Sequence, residues 1–124
     1  MTSTTGDLGA LEARLRALLD PYTARLVPST IYGVPTMRRA DAKPSNWFAF
    51  VKPAARHVSL FLLPMHTHPE LLDALSPGLR RCVTGKSALT FGSMSDQDVG
   101  ELERLLARAY DAYLAEEPGY VPVS

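Results

Sequence analysis

The sequence predicts an α+β fold of two layers, in which an antiparallel sheet of four to five strands packs against the N- and C-terminal helices. Both ends of the chain carry apolar residues at three- and four-residue steps, the spacing of an amphipathic helix. Between them, short runs of β-branched and aromatic residues are separated by glycine and proline, as strands and turns are. Because one sheet face can bury both helical stripes, a two-layer sandwich follows.

The two end helices are predicted from these stripes. The first stripe comprises Leu8, Leu11, Leu15, Leu18, Leu19, Tyr22 and Leu26. The second stripe comprises Val99, Leu102, Leu106, Ala109, Tyr110, Tyr113 and Leu114. We expect Asp7 and Ser95 to cap the two helices, and Pro21 to bend the first helix in its last turns.

The segment between the helices is predicted to form the strands. Residues 29–37 are expected to form one strand, interrupted by a bulge or lying at an edge because it contains glycine and proline. Residues 47–52 and 57–63 are expected to pair as a hairpin around a turn at 53–55. Two further strands are predicted, at residues 79–83 and 88–91.

A short helix is predicted between the hairpin and the last strands. Thr67 and Glu70 have the spacing of a capping box, in which each side chain bonds a backbone N–H at the helix start. Pro69 is expected in the first turn, where its missing N–H is not needed.

The hairpin is predicted to have two unlike faces, because side chains alternate across a strand. With residue 47 opposite residue 61, the face expected against the helices carries Phe48, Phe50, Val58, Leu60, Leu89 and Phe91. The opposite face, here called the mixed face, carries Trp47, Ala49, Val51, His57, Ser59, Phe61, Ala88 and Thr90. The mixed face is too apolar for ordinary solvated surface, and such a patch often marks a binding site.

Seven residues are candidates for binding a ligand or partner on the mixed face. Its floor would consist of Trp47, His57, Ser59 and Phe61. Its rim would carry the polar or cationic side chains of Tyr32, Arg38 and Lys86. The alternative is a half-exposed sheet face that serves no ligand and is covered by the loop 38–45 or by the C-terminal tail.

The distribution of charge indicates what such a site would bind. The chain has a formal net charge of zero, which argues against dedicated nucleic-acid binding. Residues 28–94 nevertheless contain eight basic and three acidic residues, a net charge of +5. We therefore predict a small anionic ligand or a protein partner, including a second copy of the chain.

Three sequence patterns could indicate a nucleotide, metal or catalytic site, but each lacks the required spacing or the required partner residues. Residues 85–87 match the end of a P-loop, but Arg80 occupies the position of the first P-loop glycine. His66 and His68 flank a predicted helix start, where both are expected to face solvent rather than bind metal. Cys82 has no second cysteine and no assignable base. We predict no catalytic residue, no metal and no cofactor; an enzyme with chemistry spread over the sheet face stays an alternative.

The chain is expected to form one cytoplasmic domain. Its first six residues do not resemble a signal peptide, and its longest apolar run, at 58–65, is too short to cross a bilayer. One unpaired cysteine suits a reducing compartment. The domain is predicted over 1–124, with its core at about 8–116 and a tail at 117–124.

Four sequence landmarks occur in a characteristic order before the closing helix. They are residues 29–35 (STIYGVP), 47–51 (WFAFV), 57–60 (HVSL) and 85–91 (GKSALTF). In this order the chain resembles the YdhG-like family, domain of unknown function 1801, over nearly the whole predicted domain. The resemblance implies a two-layer sandwich akin to frataxin. Because some members are described as frataxin-like iron chaperones, it also implies iron binding as an alternative function.

Overall fold

The computed structural model describes residues 8–31, 33–41 and 46–115. Its helices are α1 (Leu8–Thr23), α2 (Pro64–Thr67), α3 (Pro77–Arg80) and α4 (Asp96–Leu114), with a 3-10 helix at Pro69–Ala74. Its strands are β1 (Val27–Ile31), β2 (Val34–Arg38), β3 (Ala49–Pro53), β4 (Val58–Leu62) and β5 (Ala88–Phe91). The α+β class is confirmed, because helices from both ends of the chain pack against antiparallel strands.

The strands form two small antiparallel sheets, β1–β2 and β3–β4–β5. A bridge between Arg38 and Trp47 joins the two sheets, and Phe48 N–H donates to the Met37 carbonyl oxygen at 2.7 Å. Pro35, two residues before Met37, has no N–H with which β2 could continue this pairing. The predicted sheet of four to five strands is therefore divided where a proline stands at its internal edge.

Residues 29–37, predicted as one strand, instead span a hairpin that turns at Gly33, whose φ is +78°. Glycine adopts this left-handed conformation without steric cost. Ile31 pairs with Val34 beside the turn, so hydrogen-bonded pairs alternate from there along β1 and β2. Pro28 and Pro35 both lie in the intervening pairs, where an N–H would point away from the partner strand.

The main core lies between β3–β4–β5 and the two long helices. The helices contribute buried residues that follow the predicted stripes: Leu11, Leu15, Leu19, Leu102, Leu105, Leu106, Ala109, Tyr110 and Tyr113. The strands contribute Ala49, Val51, Val58, Leu60, Leu62, Leu89 and Phe91. Both stripes are confirmed, except that Leu105 joins the second and Leu114 is 44% exposed.

The N-terminus of α4 is capped as predicted. Ser95 Oγ accepts a hydrogen bond from Asp98 N–H, and the Asp98 carboxylate accepts one from Ser95 N–H, both at 3.1 Å. The predicted cap Asp7 lies outside the described residues. Pro21 lies inside α1, in its last turn.

The segment between β4 and β5 differs from its prediction in two places. Thr67 ends α2 instead of capping a helix, and its buried hydroxyl has no hydrogen-bond partner in the described part of the chain. The first residues of the predicted strand at 79–83 lie in α3, where Ser76 Oγ accepts from Leu79 N–H and Pro77 begins the helix. The end of that prediction survives as an antiparallel bridge between Val83 and Leu89. A serine followed by proline is a helix-start signal, and it overrides the β-propensity of the residues that follow.

No helix in the described ranges combines the length and the apolar character that a membrane span requires.

Candidate functional site

The β3–β4 hairpin has a register three residues away from the predicted one. Phe50 pairs with Phe61, and Val51 pairs with Leu60. The predicted turn was placed too early: Ala54 N–H donates to the His57 carbonyl oxygen at 2.8 Å, so the tight turn follows residue 54. Side chains alternate between the two faces of a strand, so an error of three residues, an odd number, assigns the residues before the turn to the wrong face.

Ala49, Val51 and Phe50 are therefore on the opposite faces from those predicted. Ala49 and Val51, assigned to the mixed face, are buried in the main core. Phe50, assigned to the core, belongs to a second apolar cluster on the other side of the sheet. The assignments of Leu60 to the core and of Phe61 to the opposite side are confirmed.

Phe48 keeps its predicted place in the core through a local irregularity at the start of β3. Its N–H donates to Met37 on β2, whereas its carbonyl oxygen accepts from Leu63 N–H at 3.1 Å. Alternation is interrupted at this point, because Phe48 and its neighbour Ala49 both lie in the main core. Trp47 consequently remains on the side away from the helices, as predicted.

We call the side of β3–β4–β5 that faces away from α1 and α4 the outer face. Its side chains along the three strands are Phe50, Lys52, Ser59, Phe61, Ala88 and Thr90. Opposite residues explain this grouping: Phe61 lies between Phe50 and Ala88, and Ser59 lies between Lys52 and Thr90.

One end of the outer face is aromatic. Trp47, Phe50 and Phe61 form what we call the aromatic cluster. The Phe50 and Phe61 rings stack at 4.7 Å with an angle of 10°, and the Trp47 and Phe50 rings are 5.0 Å apart and tilted by 55°. Trp47 and Phe50 are each 8% exposed, whereas Phe61 is only half-buried. Phe61 is thus the accessible member of a stack whose other two rings are held in place.

The β1–β2 hairpin packs over this aromatic end through Ile31 and Val34. The outer face is therefore partly covered, as the alternative prediction supposed, but this cover comes from another hairpin. The predicted cover was the loop 38–45 or the C-terminal tail. Residues 42–45 and the tail lie outside the described residues.

The other end of the outer face carries hydroxyl groups. Ser59 and Thr90 are paired across β4 and β5, with their hydroxyl oxygens 3.1 Å apart. The Thr90 hydroxyl also lies 2.8 Å from that of Thr84. These groups satisfy one another, so the outer face passes from aromatic to neutral polar, with Lys52 as the exposed cation beside Ser59.

Three of the seven predicted site residues, Trp47, Ser59 and Phe61, are brought together on the outer face. His57 and Lys86 are exposed and separated: His57 precedes β4, whereas Lys86 adjoins Ser87, whose carbonyl oxygen contacts the far end of β4. Tyr32 lies outside the described residues.

Arg38 lies beside Trp47, as the backbone bridge between them shows, but its guanidinium already donates hydrogen bonds within the chain. Nε donates to Ser29 Oγ and Nη1 donates to the Arg39 carbonyl oxygen, both at 3.2 Å. The arginine thus ties β2 to β1 and to the following residue.

Sequence reasoning missed Phe50, the central ring of the aromatic cluster. Pro53 is compatible with the observed register, because a proline in a strand must lie where its N–H is not needed. Pro53 and Val58 form a non-hydrogen-bonded pair of the antiparallel ladder, and Pro28 and Pro35 also lie in non-hydrogen-bonded pairs. The observed register satisfies that rule, whereas the predicted hairpin placed Pro53 in the turn, where the rule does not apply.

The carboxylates at the N-terminal end of α4, which the iron alternative would use, are engaged in structural contacts. Asp96 forms a 3.0 Å ion pair with Arg14, and Asp98 caps α4. Glu101 accepts hydrogen bonds from Ser76 N–H and Ser76 Oγ, both at 2.6 Å. Within the described residues, no three His, Cys, Asp or Glu side chains come together as a metal site would require.

Cys82 is half-buried, and burial raises the pKa of its thiol, with a further increase from Asp98 that exceeds the opposing effect of Arg81. Its thiol lies 3.7 Å from the Gly78 carbonyl oxygen. A raised pKa disfavours the thiolate that a nucleophile needs.

No family model, no curated protein and no solved structure matches this chain. The similarity to the YdhG-like family therefore stays a prediction, as do the activities that it implies.

Proposed function

We propose that this protein is a non-enzymatic binding domain that receives a protein partner on the outer face. The observation that supports this most is the half-buried Phe61, stacked on a nearly buried Phe50. An aromatic ring that is already held by its own neighbours loses little conformational freedom on binding. Anchored aromatic residues of this kind often supply much of the binding energy at protein interfaces.

The polar end of the outer face favours a protein over a small anion. A small ligand is fixed by a few convergent polar groups that are available to it. Here Ser59 and Thr90 bond one another, and the Arg38 guanidinium is engaged by Ser29 and Arg39. Lys52 is an exposed cation on this face. One exposed lysine is a weak basis for binding a small anion, but it is compatible with the polar rim of a protein interface.

A second copy of the chain is the partner to test first. With a formal net charge of zero, two copies have no net electrostatic repulsion to overcome. The outer faces of two copies can meet about a two-fold axis, which places Phe61 of one near the same residue of the other.

Sedimentation equilibrium over low to high micromolar concentrations tests this assignment. We expect the wild-type chain to self-associate and Phe61→Asp to weaken association about a hundredfold, the scale of one lost interface anchor. The matched control is Leu114→Asp, which makes the same kind of change on the exposed side of α4. We expect it to leave association unchanged.

Emission from Trp47, the only tryptophan in the chain, gives a second readout, because it contacts Phe50 in the aromatic cluster. We expect its emission to change with protein concentration and not with added phosphate or citrate. A chain that is monomeric throughout and whose Trp47 emission responds to neither anion would overturn the proposal. Saturable quenching by an anion would replace the protein partner with the small-ligand version.

A further inference from the structure

A cleft of about 230 Å³ lies where the two sheets separate, at a different place from the outer face. Its walls are the C-terminal half of α1, the β2 strand around Pro35 and Thr36, and the β3 strand from Ala49 to Val51. Phe50 lines it from the side of the aromatic cluster.

The cleft exists because pairing between β2 and β3 stops. At Met37 a backbone hydrogen bond still reaches Phe48. One residue earlier, the Thr36 hydroxyl, in place of a backbone N–H, donates to the Ala49 carbonyl oxygen at 2.8 Å. At Pro35 there is no N–H to donate, and the strands diverge around an opening that α1 closes on its third side.

The β3 edge in the cleft presents a backbone donor and acceptor. Hydrogen bonds from Leu63 to Phe48 and from Ala54 to His57 show which β3–β4 pairs are bonded, and Val51 lies in an intervening pair. Its N–H and carbonyl oxygen therefore point away from β4, toward the cleft, while its side chain is buried in the main core. One residue offers both groups on one edge, as an edge strand offers them to a joining strand.

The rest of the lining limits the ligand to an uncharged one. Leu19, Met37 and Ala49 are buried apolar residues at its base. At the mouth, the lining carries one cation, Arg16, which is ion-paired with Glu12 at 2.7 Å, and one exposed anion, Asp20, so neither sign of ligand charge is strongly favoured. A cavity of about 150 Å³ accommodates benzene, so this cleft has room for one flat ring with a small substituent.

We infer that the cleft binds small uncharged molecules with a flat apolar body and a primary amide or lactam group. The amide N–H donates to the Val51 carbonyl oxygen, and the amide oxygen accepts from Val51 N–H. The apolar body lies on Leu19 and Met37. A carboxylate of the same size lacks the donor and meets the Asp20 charge, so it binds more weakly.

Titration of the full chain with benzamide, followed by ¹H–¹⁵N correlation spectra, tests this site. We expect saturable shifts at the Val51, Thr36 and Ala49 amides. N,N-dimethylbenzamide, which has no N–H, is expected to bind about tenfold more weakly, because one hydrogen bond is lost. Benzoate is expected to bind more weakly than benzamide as well.

Two variants of α1 test whether benzamide binds in the cleft. Asp20→Phe puts a ring at the cleft mouth and is expected to abolish the benzamide shifts. The control, Ala17→Phe, adds the same ring at an exposed α1 position outside the cleft and is expected to leave them unchanged. Circular dichroism establishes that both variants are folded. Equal affinity for benzamide and its dimethyl derivative, absence of saturable shifts at Val51, or unaltered binding in folded Asp20→Phe would overturn the inference.

Discussion

The inner and outer faces of β3–β4–β5 are built from alternate residues of the same strands, yet they differ in composition and in what covers them. Leu60 on the inner face is 1% exposed and belongs to the main core, whereas its neighbour Phe61 is half-buried on the outer face. The inner face is uniformly apolar and closed. The outer face combines a stacked aromatic end with hydroxyl groups that bond one another. We infer that the first face supplies stability and the second is suited to binding.

The largest expected effect is on the inner face. Leu60→Ala should lower the free energy of unfolding by about 2–5 kcal/mol, because it removes buried methyl groups and leaves a cavity. Phe61→Ala should lower it by about 1–2 kcal/mol, because the ring is only half-buried. Urea denaturation followed by circular dichroism measures both. Equal losses would mean that the outer face is a second core, and the distinction between the faces would fail.

The next effect concerns the contact that holds the start of β3 against α4. The buried Tyr113 hydroxyl donates to the Asn46 carbonyl oxygen at 2.6 Å and accepts from Arg39 N–H at 2.9 Å. Tyr113→Phe removes both bonds while keeping the ring, and should cost about 1–3 kcal/mol.

Because Asn46 precedes Trp47, the same change should also alter the emission of Trp47. A variant with wild-type stability and unchanged emission would show that this hydroxyl does not connect the two faces. Urea denaturation and fluorescence spectra of the native state give the two readouts.

A smaller effect is expected from the hydroxyl end of the outer face. Ser59→Ala should cost only about 0.5–1 kcal/mol, because Thr90 keeps its contact with Thr84. Ser93→Ala, at an exposed position next to β5, is the matched control and should be neutral. If Ser59→Ala costs as much as Leu60→Ala, then the hydroxyl pair is part of the stabilising structure.

The smallest effect is a dependence of stability on pH. Burial raises the pKa of the Cys82 thiol, so the folded chain holds this proton more tightly than the unfolded chain does. The contribution is complete below the ordinary thiol pKa and is lost as the pH rises through the higher, folded value.

Denaturation at a series of pH values should show that decline in the wild-type chain and less of it in Cys82→Ser. Burial also raises the pKa of the Tyr22 phenol, which adds a decline of the same sign at higher pH. A decline that is identical in Cys82→Ser would contradict the role assigned to the thiol.

The sequence was sufficient for the two end helices and insufficient for the hairpin register, for a physical reason. The apolar stripes of α1 and α4 are local and periodic, so they indicated the buried sides directly. The register depends on where the chain turns, and residues 53–57 contain no glycine or asparagine to mark the turn. A placement error of a few residues there exchanged Phe50 with Ala49 and Val51.

The candidate site was predicted in part for the same reason. Trp47, Ser59 and Phe61 were placed on the correct side, because β4 alternates regularly and the irregularity at Phe48 compensates for the register error at Trp47. The cleft beside Pro35 could not be predicted, since it depends on how two sheets separate in space.

Both proposals depend on the pairing of Phe50 with Phe61, which also turns the Val51 N–H and carbonyl oxygen toward the cleft. An NOE spectrum of the isotope-labelled chain measures that pairing directly. We expect strong contacts between the Phe50 and Phe61 rings, whose centroids are 4.7 Å apart. Contacts between Phe50 and Val58 instead, with none between the two rings, would contradict the register and both binding surfaces derived from it.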